Sequence, residues 1–149
     1  MKIRITKHFD FEAAHALAGY DGKCKNIHGH SYQLYVTVIG TPINDNTNPR
    51  NGMVMDFGDL KHIVKTEIVD LFDHAIVLNK NSEHINLANK IADYSHRTVL
   101  VDYQPTSEMM LQDFSERISK KLPKNVALHS LKLYETNNSY AEWFADDQN

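Results

Sequence analysis

The stretch CKNIHGHSY (residues 24–32) holds the chain's only cysteine, Cys24, and two histidines, His28 and His30, one residue apart. On an extended strand, side chains two apart share a face, so both imidazoles point the same way. An earlier alternating run ends at His15 and offers a third. Zinc favours imidazole nitrogen, and three protein ligands with a vacant fourth position are the arrangement used when the metal takes part in a reaction. His15, His28 and His30 fit that description. The same spacing also suits ordinary surface or hydrogen-bonded histidines. Gly29 is expected to remove bulk where a ligand could approach.

Cys24 has three readings. As a fourth ligand it closes a structural site; as a free thiol beside an open site it is a reagent; as a small hydrophobe it is inert. Lys23 and Lys25 flank it. Nearby positive charge favours the thiolate, and polar neighbours argue against burial. FDHAIVLN (72–79) sets Asp73 beside His74. A histidine oriented by a carboxylate can transfer protons, although Asp-His surface pairs are common. No H-E-x-x-H, Walker A loop or G-x-G-x-x-G fingerprint occurs.

Elements must bring these groups together. Residues 2 to 15 alternate, with Ile3, Ile5, Phe9, Phe11 and Ala13 on one face, which predicts a half-buried strand ending at His15. Residues 28 to 39 alternate again through Tyr32, Leu34, Val36 and Val38. Pairing these strands antiparallel sets the end of the first beside the start of the second. The three imidazoles then meet at one end of a sheet, on its buried side. TPINDNTNPRNG (41–52) reads as a loop and MVMDF (53–57) as a short strand.

From Asp59 onward, Leu60, Ile63, Val64, Ile68 and Leu71 recur at helical spacing and predict a helix of about three turns. HINLANKIADY predicts a short helix and TVLVDY a short strand within residues 80–104. PTSEMMLQDFSERISKKL (105–122) predicts a helix opened by Thr106 or Ser107, with Met110, Leu111, Phe114 and Ile118 as its apolar stripe. VALHSLKLYE (126–135) then alternates as a strand with Leu131, Leu133 and Glu135 on one face, and SYAEWF adds another. The expected architecture is one α+β domain over residues 1–149, with a mostly antiparallel sheet and two long helices packed on one face.

Composition sets outer bounds. A chain of 149 residues can close a hydrophobic core without staples, and one cysteine cannot form an internal disulfide. The charged start, MKIRITKHFDF, lacks the apolar run of a signal peptide, so a reducing, cytoplasmic setting is expected. No stretch approaches the roughly 20 apolar residues of a membrane span. A net charge of −3 with scattered basic residues excludes a broad nucleic-acid surface. Any phosphate has to be met locally.

Taken in order, FEAAH, CKNIHGHSY, GMVMDFGDLK, FDHAIVLN, PTSE and LYET resemble the 6-pyruvoyltetrahydropterin synthase family over nearly the whole chain. The C-x-x-x-H-G-H spacing is similar to its bacterial branch, the 6-carboxytetrahydropterin synthases; animal pyruvoyl enzymes place the cysteine further upstream. Residues 80–104 look longer than in compact members.

The resemblance implies the tunnelling fold, an antiparallel sheet of about four strands with two helices, assembled through trimer rings into a homohexamer. It implies zinc on His15, His28 and His30, and catalysis by Cys24 with Asp73 and His74, which can serve a neighbouring subunit's cysteine. It also implies a pterin anchored by Glu135, with Glu108 in the same pocket. Glu135 is otherwise a solvent-facing strand end, and Glu108 a carboxylate favoured at a helix N-terminus. The implied reaction converts 7,8-dihydroneopterin triphosphate to 6-carboxytetrahydropterin with release of acetaldehyde and triphosphate, in the route to queuosine. Two alternatives stand beside it: pyruvoyl synthesis by triphosphate elimination, and a non-catalytic zinc or pterin scaffold.

Overall fold

The computed structural model describes all of residues 1–149. Six strands form one sheet in the order β4-β3-β1-β2-β5-β6. The two longest, β1 (Ile3–His15) and β2 (His28–Gly40), pair antiparallel along their whole length, from Ile3 opposite Gly40 to His15 opposite His28. The buried pairs Phe11–Tyr32 and Phe9–Leu34 follow from that register, which places alternate residues of both strands on one face. β5 (Val126–Thr136) pairs with β2, and β6 (Ser139–Phe144) with β5, both antiparallel.

β3 (Ala75–Asn79) and β4 (Thr98–Val101) depart from the expected antiparallel sheet of about four strands. β3 lies parallel to β1, pairing only along Ala13–His15, and β4 lies parallel to β3. The sheet is therefore mixed. Its parallel edge requires a crossover, supplied by α3 (His84–Asp93) between β3 and β4.

The first long helix begins at Phe57, as α1 (Phe57–Val64), passes through a π-helical segment (Lys65–Val69) and ends as α2 (Asp70–Phe72). Its buried stripe, Leu60, Val64, Ile68 and Phe72, repeats every four residues. That spacing outruns the 3.6-residue turn of an α-helix, and the wider π turn absorbs the drift. Phe72 is accordingly buried, while Leu71, expected in the stripe, is exposed. MVMDF is not a strand: Val54 and Met55 enter the core as loop residues, and the Asp56 carboxylate caps α1 by accepting the Gly58 N–H at 2.6 Å.

α4 (Ser107–Ser119) is capped by the Thr106 hydroxyl, which accepts the Met109 N–H, and buries Met110, Leu111, Phe114 and Ile118. α1 and α4 share one core of 24 buried residues with the inward face of β1, β2 and β5. The third helix, α3, packs elsewhere: Ala88 meets Ala16 and Leu78, on the face of β3 opposite Val77. Midway along α4, Asp113 accepts the Tyr103 hydroxyl and the Arg117 Nε–H, both at 2.7 Å. This ties the segment after β4 to the helix.

A one-residue irregularity sets the line of β5. Thr37 faces Ser130 but Val38 faces Leu128, so His129 bulges out. Leu128 and Leu131, which an unbroken strand would turn to opposite faces, are both buried. From Leu131 the alternation carries through Leu133 to Glu135, on the face shared with Tyr32 and the histidines. No helix is long and apolar enough to cross a membrane.

Candidate metal and catalytic site

Glu135 and the three histidines converge. One potential ligand atom from each of His15, His28, His30 and Glu135 lies within 4.8 Å of the others. His15 Nε2 is 3.0 Å from His28 Nε2 and 3.3 Å from Glu135 Oε1, and His30 Nε2 is 3.1 Å from that same oxygen. The sheet alone brings this about, because His15 faces His28 and Ala13 faces His30 across the β1–β2 ladder. Glu135 sits one residue past the last β2–β5 pair and is skipped in the β5–β6 ladder, on the inward face it shares with Leu131 and Leu133.

Backbone carbonyls orient two of the rings. His15 Nδ1 is 2.7 Å from the Pro105 carbonyl oxygen, and His28 Nδ1 is 2.7 Å from that of Asn26. A carbonyl only accepts, so each Nδ1 carries the proton and each Nε2 presents a bare lone pair. Two lone pairs and a carboxylate oxygen thus face one another, and the buried His30 Nε2, although 3.1 Å from Glu135 Oε1, makes no well-aligned hydrogen bond. Leaving such a buried group unmatched costs about 1–3 kcal/mol. A cation among them removes that cost, so the donor set fits a metal ion.

The surroundings reinforce this. Burial pushes the His30 imidazole below its usual pKa, so the neutral, ligating form is favoured. In the protonated forms of the rings, a hydrogen bond from His15 and then the charges of His30, His15 and His28 hold the Glu135 carboxyl below its usual range against partial burial. Tyr32, its phenol pushed up by burial and then by Glu135, lies 3.5 Å from His15 Nδ1 and walls the inner side.

The other expected residues lie outside this cluster. Cys24 is an exposed free thiol in a short 3-10 turn (Lys23–Lys25) and is not among the four converging groups. Its carbonyl accepts the Leu17 N–H at 3.0 Å, fastening the turn to the end of β1. Glu108 is exposed in the first turn of α4 and is not among the four converging groups. Gly29 does not open the metal side: a Cβ there would meet the Ala13 carbonyl oxygen at 3.4 Å, on the opposite face of the strand from His28 and His30.

Asp73 and His74 form the turn into β3. Asp73 Oδ1 accepts the Glu12 N–H at 2.8 Å and lies 3.1 Å from His74 Nδ1. The Glu12 N–H is the main reason its carboxyl sits below the usual range. The carboxylate thus orients the imidazole, and the rest of His74 is open to solvent, with its backbone left-handed at φ 59°. Beside it opens a cavity of about 590 Å3, bounded by Gly29, His30, Ile76, Ile91 and Arg97 among others.

Comparison with known proteins places this geometry. Residues 4–146 match the family described as 6-pyruvoyl tetrahydropterin synthase. The chain belongs to that family. It is 35% identical to a 6-carboxy-5,6,7,8-tetrahydropterin synthase of Haemophilus influenzae over 142 residues, covering 95% of this chain and 98% of the relative. It is 34% identical to the protein of the same name from Rickettsia typhi, over 94% of this chain and 99% of that one. This chain is an enzyme of the pterin-synthase family, a lyase.

Solved structures share its fold. An uncharacterized protein from Wolinella succinogenes superposes with a TM-score of 0.79 at 20% identity, over 97% of this chain and 99% of that one. The 6-pyruvoyl tetrahydropterin synthase of Caenorhabditis elegans gives 0.68 at 22% identity, over 97% and 96%.

Sequence patterns miss several residues of this candidate site. The Pro105 and Asn26 carbonyls act through backbone atoms, which carry no residue signature. Tyr32 was legible as inward-facing, two residues beyond His30, but its place against His15 depends on the register. His96 and Arg97 reach the cavity beside His74 only because β4 lies next to β3.

Proposed function

We propose that this chain is a zinc-dependent 6-carboxytetrahydropterin synthase, converting 7,8-dihydroneopterin triphosphate to 6-carboxy-5,6,7,8-tetrahydropterin with release of acetaldehyde and triphosphate. The observation that carries the metal half is the meeting of His15 and His28 Nε2 at 3.0 Å, with Glu135 and His30 beside them. The relatives' names support the product.

Three imidazoles select a metal of zinc's character. Zinc held by the Nε2 atoms of His15, His28 and His30 would supply Lewis acidity toward the substrate's side-chain hydroxyls. Cys24, exposed and outside the cluster, moves a proton at the side-chain carbon next to the pterin ring. His74, held through Nδ1 by Asp73, exchanges protons with thiol or substrate through its other nitrogen. Glu135 accepts the paired N–H donors of the aminopyrimidine edge, a bidentate match for one carboxylate. Glu108 completes the pterin pocket.

The readings of assembly follow from that chemistry. Residues 1–149 act as one catalytic unit, and Asp73–His74 of one subunit serve a neighbour's Cys24 in a hexamer of two trimer rings. An exposed single thiol needs a reducing compartment, which favours the cytoplasm. The product feeds the route to queuosine, and tRNA itself is not bound.

The test is incubation of zinc-loaded protein with dihydroneopterin triphosphate and mass analysis of the products. Carboxytetrahydropterin with acetaldehyde is expected. A pyruvoyl product without acetaldehyde overturns this reading in favour of pyruvoyl synthesis. Pterin binding with no triphosphate released leaves only a scaffold.

A further inference from the structure

The cavity beside His74 has a mixed lining. Ala13, Ala14, Ile27, Ile76 and Ile91 supply its apolar part, and His74, His96 and Arg97 its basic part, with Ile76 N–H bonded to the Arg97 carbonyl and His96 N–H to that of Ile91. Arg97 is anchored there: one terminal guanidinium nitrogen donates to the Asp70 and Leu71 carbonyl oxygens at 2.6 and 3.1 Å, at the C-terminal end of α2. Its other N–H groups have no protein acceptor among the side-chain hydrogen bonds that fix it. A pre-oriented guanidinium with spare donors is the side chain best shaped for phosphate oxygens.

Backbone geometry marks the same part. His74 and Ser95, at φ 59° and 62°, are the two non-glycine residues with left-handed backbone, and Ser95 immediately precedes His96. Such conformations persist where the surrounding structure holds them, and they cluster at ligand sites. Glu12 also borders the cavity, but its carboxylate accepts the Ser31 hydroxyl at 2.7 Å. Asp73 is the second carboxylate near this cavity, and Arg97 is one of the charges that hold its carboxyl below the usual range.

We infer that Arg97 and His96, beside His74, form the subsite for a polyphosphate chain, the triphosphate of the substrate in the reaction proposed above. The inference rests on that reading for the substrate's identity, not for the anion chemistry. The subsite places the leaving triphosphate next to the Asp73–His74 pair. Lys23 and Lys25, beside Cys24, are the competing basic pair.

The experiment titrates inorganic triphosphate into zinc-loaded protein by calorimetry and measures KM and kcat for the pterin triphosphate. Arg97→Gln is expected to weaken triphosphate binding at least about tenfold and to raise KM more than it lowers kcat. Because Arg97 also holds α2, His96→Ala is the deciding variant; its exposed side chain makes no hydrogen bond or ion pair, and a loss of about threefold is expected. A Lys23→Ala/Lys25→Ala protein should bind triphosphate as the parent does. Unchanged affinity in His96→Ala, or a loss centred on the lysine pair, overturns the subsite. If the parent binds triphosphate at Arg97 yet never turns over the pterin, the reaction fails and the subsite stands; normal turnover with both variants indifferent gives the reverse.

Discussion

His15 and His28 approach Nε2 to Nε2 at 3.0 Å while each ring is fixed through Nδ1 to a backbone carbonyl. Neither ring can swing away without giving up that bond, so the electron-rich gap is imposed by β1, β2 and the loop before α4. Metal affinity then depends on imidazoles pre-set by the fold. His28→Ala is expected to lower bound zinc, measured by elemental analysis after dialysis, from one ion per chain to near none, with the fold kept by circular dichroism. Full zinc retention would mean that the ion, if any, sits elsewhere.

The thiol is the next discriminating group, because a ligand and a reagent respond differently to removal. Cys24 lies outside the four converging side chains and is exposed. Cys24→Ala should keep its zinc and lose about 10²–10⁴-fold in kcat, the usual contribution of a positioned proton-transfer group. Zinc loss in parallel with activity would instead make the sulfur a fourth ligand.

Asp73 couples catalysis to acid stability. Its carboxyl is held below the usual range chiefly by the Glu12 N–H, and it orients His74. A depressed carboxyl pKa stabilises the fold above the unfolded-state value, near 4, and that contribution is lost as pH falls through the folded-state value. Asp73→Asn should therefore melt below the parent at pH 7, with the gap closing as pH falls through the folded-state value. Activity at neutral pH should fall by about 10²-fold or more. A melting difference that persists undiminished at low pH would show that charge is not what the carboxylate contributes.

Much of this site was legible in the chain because β1 and β2 alternate without interruption, so period alone turned His15, His28 and His30 to one face. What was not legible has three physical sources. β3 and β4 are short apolar runs, and nothing in AIVLN or TVLV says whether the neighbouring strand runs with it or against it. The π segment moves the buried position from Leu71 to Phe72, a shift that a fixed 3.6-residue period cannot register. Gly29 was read as clearance for a ligand, but the alternation that turns His28 and His30 inward necessarily turns position 29 outward.

The tie from the β4 segment to α4 should be measurable apart from function. Tyr103 donates to Asp113, which also holds Arg117; burial first, and Asp113 second, push the phenol above its usual pKa. Tyr103→Phe removes one hydrogen bond and should cost about 1 kcal/mol in urea denaturation. Asp113→Ala should cost more, about 1–3 kcal/mol, because it leaves a half-buried hydroxyl and guanidinium unmatched. Equal costs for the two would mean that solvent replaces the carboxylate at Arg117.

Glu135 has two possible partners, the metal and the pterin, and its contacts with His15 and His30 at 3.3 and 3.1 Å do not by themselves choose. A neutral amide separates them. Glu135→Gln keeps the shape and one acceptor oxygen but loses the charge and the second equivalent oxygen, so it cannot take two parallel donors. If the carboxylate serves the pterin, this variant should hold zinc as tightly as the parent, while KM rises by about tenfold or more, reflecting a charge-assisted contact of about 1.5–3 kcal/mol. If the carboxylate is a fourth ligand, zinc affinity falls first and turnover follows it. Zinc-retention and KM measurements on this one variant therefore decide whether the ion's remaining position is open to substrate.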